Sequence, residues 1–282
     1  MFRLDKVGFY CHFWGNVKKF YKCKANSMRD TFYISKAHRL LAILGVELAY
    51  GDQPVHRMHS YDSSSAVVSI TGNSNIDCSK TSVTAQDPVL HCDSLENLRN
   101  IVQAFDGCAL KEHATHTVFG DGNPKAKIML IGEAPGFYED KCGIPFCGPS
   151  GKLLDKILAA VNLDRTKVYI TNTVFWRPPE NRRPTKEELV ICRPFVERHI
   201  FLIKPELIML VGSTAVEALL QLNTPMNKLR GQYFDYKNPY LKEPIKATAI
   251  FHPSYLLRQP VKKKLMWFDI LKIMKDFQYL VG

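Results

Sequence analysis

Four short apolar runs alternate with amphipathic helical patterns, and this alternation constrains the fold more than any other feature of the chain. The runs are predicted to be buried strands, and they cover residues 128–131, 168–171, 207–211 and 247–251. Parallel strands require long crossover connections, which the intervening helices supply. The sequence therefore predicts an α/β fold, a three-layer α/β/α sandwich around a mostly parallel four-stranded sheet.

Helix start signals accompany this pattern. Ser94 is predicted to cap a helix that ends near Gly107, and Thr185 with Glu188 has the spacing of a capping box. Ser213 is predicted to cap the helix that follows the third strand. That helix is predicted to end at residue 222, and two further helices are predicted over residues 153–161 and 261–277.

The N-terminal third of the chain does not share this alternation. Residues 1–27 carry six basic side chains, one acid and seven aromatic rings without a helical or strand period. They are either a basic aromatic arm for DNA or a membrane, or a leader before a true start at Met28, and we favour the second interpretation. Residues 28–57 are predicted to be a helical segment and residues 58–93 a flexible, polar linker, so the compact domain is predicted over 94–282.

The composition bounds the kind of protein. A net charge of +11 suggests a polyanionic partner such as nucleic acid, although lysines on a solvated surface also produce mild basicity. The sequence has neither a membrane-spanning apolar run nor a signal-peptide pattern, which predicts a cytoplasmic protein without a membrane partner. Its eight scattered cysteines are predicted to be thiols or ligands rather than a disulfide framework.

Chemically distinct side chains follow three of the predicted strands. Glu133 and Phe146 lie in the loop after the first strand, Asn172 ends the second, and His252 follows the fourth. Loops at the carboxyl ends of parallel strands converge, and this set suits a planar heterocycle that stacks on the aromatic ring and pairs with the amide. Taken singly, these residues could equally be a loop-capping acid, a core aromatic, a turn former and a histidine with a structural partner.

Several long motifs then resemble a known family. The stretches GEAPGFYED, GIPFCGPSGKLLD, NTVFWRPPENRRP and HPSYLLR resemble the signatures of the family 4 uracil-DNA glycosylases, and the resemblance covers residues 94–277. It implies a DNA-repair hydrolase that flips uracil out of DNA and leaves free uracil and an abasic site. It also implies a monomer that acts on uracil-containing DNA. The alternative is a noncatalytic DNA- or lesion-binding relative with the same fold.

The resemblance implies a role for each residue of the base pocket. Phe146 would stack on uracil, and the Asn172 carboxamide would accept from N3 and donate to O4 of the base. Glu139 would crowd the C5 position against the methyl group of thymine, and Gly132 would complete the base-binding site. Cytosine, with the opposite hydrogen-bonding edge, would be excluded.

Catalysis and DNA binding are implied in the same way. His252 would stabilise the uracil anion at O2, while Glu133 would steady the sugar cation or orient the water. Leu256 and Leu257 would fill the gap that the extruded base leaves. The other implied DNA contacts are Ser150, Gly151, Arg177 and Arg258, with added charge from Arg182, Arg183, Lys262, Lys263 and Lys264.

The chain departs from this family at its metal site. Family 4 enzymes generally hold a 4Fe-4S cluster with four cysteines, and the corresponding positions here are Phe105, Cys108, Trp176 and Cys192. A four-iron cluster normally takes four thiolate ligands, and two of these side chains cannot ligate iron. We therefore expect no cofactor, with Phe105 and Trp176 packed together near the two remaining cysteines.

Overall fold

The computed structural model describes residues 89–280. The organisation predicted for residues 1–27, 28–57 and most of 58–93 lies outside this range. Within it, the strands are β1 (Asp121–Gly122), β2 (Ile128–Gly132), β3 (Val168–Asn172), β4 (Leu207–Val211), β5 (Tyr233–Tyr236) and β6 (Ile245–Ile250). They form one sheet in the order β1-β3-β2-β4-β6-β5.

The predicted fold class is confirmed. Strands β3, β2, β4 and β6 are the four predicted strands, and each neighbouring pair among them is parallel. Every residue of β2, β3 and β4 is buried, which explains their continuous apolar sequences. The two antiparallel edge strands, β1 and β5, were not predicted, because they are short and only partly buried and so lack an apolar run.

Helices cover the sheet and supply the crossovers. They are α1 (Leu95–Ala104), α2 (Leu110–His113), α3 (Phe137–Cys142), α4 (Pro149–Ala159), α5 (Lys186–Ile203), α6 (Ser213–Leu220), α7 (Met226–Leu229), α8 (Pro253–Arg258) and α9 (Lys263–Asp276). The Ser94 hydroxyl caps α1 by accepting from the Asn97 amide at 3.2 Å. The capping box of Thr185 and Glu188 also forms, so both predicted caps are confirmed. None of the helices in the described range is long and apolar enough to cross a membrane.

The predicted cap of α6 is wrong. Gly212 occupies the N-cap position with φ of 97°, and Ser213 is the first helical residue, without a capping hydrogen bond. A side chain is strained at that φ, and a Cβ there would also lie 3.1 Å from the Cβ of His252. The helix ends at Leu220 rather than at 222 because Gln221 adopts a left-handed conformation.

The cysteine prediction is wrong at one pair. Cys142 and Cys147 form a disulfide across the loop between α3 and α4, with a Cα separation of 7.5 Å. Gly143 takes the left-handed conformation that ends α3. Cys92, Cys108 and Cys192 are buried free thiols, as predicted.

Candidate active site

A cavity of about 1000 Å³ opens at the carboxyl ends of the parallel strands. Glu133, Phe146, Asn172 and His252 all line it, so the structure brings together the four side chains that the sequence placed at or after the ends of three strands. Their convergence follows from the sheet, because β2, β3 and β6 end at the same edge.

Asn172 is the most informative group in this cavity. Its side chain is 1% exposed, yet neither Oδ1 nor Nδ2 has a hydrogen-bond partner among the described residues. Leaving a buried polar group unpaired costs about 1–3 kcal/mol, which a native fold rarely accepts without a reason. An amide held in this way presents one acceptor and one donor to whatever enters the cavity.

The space beside Asn172 is kept open by a glycine. Gly132 is paired with Asn172 across β2 and β3. A Cβ on Gly132 would clash with Asn172 Oδ1 and would lie 2.6 Å from the Phe146 ring. The Asn172 amide and the Phe146 ring therefore border the same volume, which any larger residue at 132 would fill.

Phe146 is held in an unusual backbone conformation. Its φ is 53°, and its side chain is buried. Arg165 donates to the carbonyls of Pro145 at 3.0 Å and of Phe146 at 2.5 Å, and it is itself paired with Asp121 and Asp155. Sequence analysis missed Arg165 because it lies between the recognisable motifs, and only the fold brings it under this loop.

His252 presents one defined hydrogen-bond donor. The backbone N–H of Ser254 donates to His252 Nδ1 at 3.1 Å, and the Ser254 hydroxyl, which can also donate, lies 2.8 Å from the same nitrogen. With Nδ1 accepting, the neutral ring carries its proton on Nε2. Burial, with a smaller contribution from the positive charge of Arg258, lowers the pKa of His252 to about 4. The imidazole is therefore neutral at pH 7, with an N–H at Nε2 available to a ligand.

Glu133 is held at both its backbone and its side chain. The Thr173 hydroxyl donates to the Glu133 carbonyl at 2.5 Å, and the Thr214 hydroxyl donates to Glu133 Oε2 at 2.6 Å. Both threonines are buried. Neither was identified from the sequence, since a buried threonine carries no distinctive local pattern.

Glu139 lies on the cavity wall, and its carboxylate connects two backbone segments on either side of Phe146. Its two carboxylate oxygens accept from the backbone N–H groups of Gly136 at 3.0 Å and Gly148 at 2.9 Å. These bonds tie the start of α3 to the start of α4. Its implied contact with the C5 position of a base stays a prediction.

The predicted DNA contacts differ in their exposure. Leu256 is fully buried beside Ile157, Met266 and Trp267, so its assignment to the DNA surface is corrected. It lies on the inward side of α8, whereas Leu257 is 44% exposed and its contact with DNA stays a prediction.

The remaining predicted contacts lie in three settings. Ser150 and Arg258 line the cavity, whereas Gly151 is buried against the Phe146 carbonyl.

Arg177 donates to Asn181 at 2.8 Å and stacks over Phe137. Arg182 and Arg183 each form a 2.6 Å ion pair, with Glu188 and Glu217 respectively, which reduces the charge they offer to DNA. The lysines at 262, 263 and 264 precede and begin α9.

The region that corresponds to the cluster site of family 4 enzymes is an aromatic core in this chain. The rings of Phe105 and Trp176 stack with centroids 6.4 Å apart, and Phe105 meets Phe195 edge-on at 4.9 Å. Their predicted packing is confirmed. Cys108 and Cys192 are hydrogen-bonded neighbours: this bond lowers the pKa of the Cys108 thiol, and together with burial it raises that of Cys192.

This donor set does not fit a four-iron cluster. Across residues 89–280, no group of three or more histidine, cysteine or acidic side chains could hold a metal. The Trp176 indole N–H donates to Thr117 Oγ1 at 3.0 Å, which fixes the ring inside the core. A bulky aromatic pair thus occupies two of the four positions where the family has thiolates.

Comparison with known proteins gives a consistent result. A family model described as the uracil DNA glycosylase superfamily matches residues 119–275. A type-4 uracil-DNA glycosylase of Sulfurisphaera tokodaii is 37% identical over 186 residues, which are 64% of this chain and 84% of that protein. One from Archaeoglobus fulgidus is 36% identical over 185 residues, 64% of this chain and 92% of that protein.

A bacterial relative shows the same similarity. A type-4 uracil-DNA glycosylase of Thermotoga maritima is 38% identical over 165 residues, 58% of this chain and 83% of that protein. The matched residues 119–275 contain the parallel strands and all four side chains that meet in the cavity. The chain therefore belongs to the uracil-DNA glycosylase superfamily, among the type-4 uracil-DNA glycosylases.

Proposed function

We propose that this protein hydrolyses the N-glycosidic bond of uracil in DNA, which releases free uracil and leaves an abasic site. The observation that carries the proposal is the buried carboxamide of Asn172, which has no hydrogen-bond partner within residues 89–280 and lies beside the ring of Phe146. The names of the type-4 relatives support the same activity. The presence of Glu133 and His252 in the cavity favours an enzyme over a noncatalytic lesion-binding relative.

One assay tests this function directly. Purified protein is incubated with oligonucleotides that contain a single uracil, thymine or cytosine, and abasic sites are then cleaved with alkali. We expect strand scission only at uracil. Binding of the uracil oligonucleotide without any scission would instead support the noncatalytic alternative.

Base recognition follows from the cavity wall. The target nucleotide leaves the duplex at a cost of a few kcal/mol, and its base enters the cavity beside Phe146. Uracil offers an N3–H to Asn172 Oδ1 and O4 to Asn172 Nδ2, which satisfies both orphaned atoms. In cytosine, the exocyclic amino group would face the Asn172 Nδ2 donor and the unprotonated N3 would face the Oδ1 acceptor. A site built on these hydrogen bonds therefore rejects cytosine strongly.

Bond cleavage places opposite charges on the two fragments. As the bond from N1 to C1′ lengthens, negative charge develops on uracil and positive charge on the sugar. The Nε2–H of neutral His252 stabilises the anion at O2, and the Glu133 carboxylate stabilises the sugar cation or orients the attacking water. No covalent intermediate is required by this arrangement.

DNA would be held around the cavity mouth. Ser150, Arg177 and Arg258, with the lysines at 262–264, are the proposed phosphate contacts, and Leu257 is the side chain placed to fill the vacated stack. Residues 94–282 would form this glycosylase domain. We further propose that the protein acts as a monomer in the cytoplasm.

We propose that the protein works without an iron-sulfur cluster. Protein purified anaerobically is expected to be colourless, to contain no acid-labile sulfide and to excise uracil at full rate after treatment with an iron chelator. The physical reason is the core of Phe105 and Trp176, which fills the volume with groups that cannot bind iron. A four-cysteine relative prepared in parallel is the positive control, and about four irons per chain in this protein would contradict the proposal.

Arg165 is expected to be needed for base stacking. Arg165→Lys removes the fork that binds the Pro145 and Phe146 carbonyls, so the Phe146 ring loses its fixed position and single-turnover excision falls by roughly 10- to 100-fold. Arg230→Lys is the matched control, because Arg230 also bridges a carboxylate and a carbonyl but lies outside the cavity lining. Equal excision rates in the two variants would remove Arg165 from this role.

A further inference from the structure

Thr214 makes a contact that its place in the fold does not require. It lies in the first turn of α6 and is fully buried, so it cannot touch DNA. Its hydroxyl donates to Glu133 Oε2 at 2.6 Å, across 81 residues of sequence. Threonine hydroxyls near helix starts commonly bond to the local backbone, whereas this one is directed at a carboxylate on another loop.

The contact restricts the carboxylate of Glu133. A glutamate side chain beside a wide cavity has several accessible rotamers, and one bond to Oε2 selects among them. The Thr173 hydroxyl fixes the backbone carbonyl of the same residue at 2.5 Å. Glu133 is therefore held at two points, and Thr214 controls the end that would face the substrate.

The position of Thr214 is itself well determined. Gly212 turns the chain from β4 into α6 with φ of 97°, and a Cβ at this position would lie 3.1 Å from the Cβ of His252. The same turn thus places Thr214 behind Glu133 and supports His252. The turn joins β4, which is entirely buried, to a helix whose buried residues include Thr214.

We propose that Thr214 is a positioning residue for Glu133 and sets the geometry of its carboxylate for the chemical step. The proposal rests on the proposed role of Glu133 in uracil excision. Because Thr214 acts through Glu133, its loss lowers the rate of the chemical step and leaves the affinity for DNA unchanged.

Two substitutions of Thr214 separate the contribution of its hydroxyl to the excision rate from the contribution of its packing. Thr214→Val keeps the shape and removes the hydroxyl, and we expect single-turnover excision to fall by about tenfold or more, with the Kd for uracil-containing duplex changed less than about twofold. Thr214→Ser keeps the hydroxyl and restores the rate to within about threefold of wild type. Thr248→Val is the matched control, because it removes another fully buried threonine hydroxyl, one without a partner among the described residues.

A double-mutant cycle tests whether the rate loss in Thr214→Val acts through Glu133. In a Glu133→Gln background, Thr214→Val is expected to cause little additional loss, since residues that act as one unit are non-additive. A full additional loss there, or a wild-type rate for Thr214→Val alone, overturns the proposal. A wild-type rate for Glu133→Gln alone would instead refute the proposed role of Glu133. Thermal melts of all variants confirm that rates are compared between folded proteins, and Thr214→Ala replaces the valine variant if that variant does not fold.

Discussion

Asn172→Asp is expected to lower single-turnover excision of uracil by about 10³-fold or more. The aspartate offers only acceptors, so uracil O4 loses its donor and faces a carboxylate in a buried site. The wild-type amide has no partner there among the residues that the structure describes. A carboxylate can accept from the exocyclic amino group of cytosine, so the ratio of cytosine to uracil excision should rise. Both rates are measured on matched oligonucleotides under enzyme excess.

The control for Asn172→Asp introduces the same charge elsewhere. Asn123 lies in the turn between β1 and β2, where its side chain bonds to the backbone of Thr166 and Lys125. Asn123→Asp should excise uracil at nearly the wild-type rate. If Asn172→Asp also retained the wild-type rate, the amide would not contact the base.

His252→Ala is expected to lower the chemical rate by about 10²- to 10³-fold, with little change in DNA affinity. The substitution removes the Nε2–H that would stabilise the departing uracil anion, and single donors of this kind are typically worth that factor. Single-turnover rates and equilibrium DNA binding separate the two effects. His113→Ala, on α2, is the control, and a loss of affinity without a loss of rate would assign His252 to binding instead.

The low pKa of His252 also predicts how the free energy of unfolding depends on pH. The pKa is lowered from about 6.5 to about 4 in the folded protein, so the unfolded chain binds more protons between these values. The contribution of neutral His252 to the free energy of unfolding is therefore present above pH 6.5 and is lost as the pH falls toward 4. Denaturant unfolding across this range should show a weaker pH dependence in His252→Ala than in the wild type.

Much of the fold was predictable because its signals are local. Buried parallel strands need continuous apolar runs, and the caps at Ser94 and Thr185 depend on residues three positions apart. The edge strands β1 and β5 escaped prediction, since a short strand paired on one side needs no such run. The N-cap of α6 was placed on Ser213 rather than Gly212 because a polar residue is the commoner cap.

The sequence by itself determined the parallel sheet, the family and the four side chains of the cavity. It could do so because strand ends meet at one edge and because the motifs around Glu133, Phe146, Asn172 and His252 are long. The tertiary structure alone decided which residues hold these groups in place and which predicted contacts point inward. Arg165 reaches Phe146 across 19 residues and Thr214 reaches Glu133 across 81, while Leu256 turns into the core beside α4 and α9. Such contacts depend on how distant elements pack, and no local period or spacing encodes them.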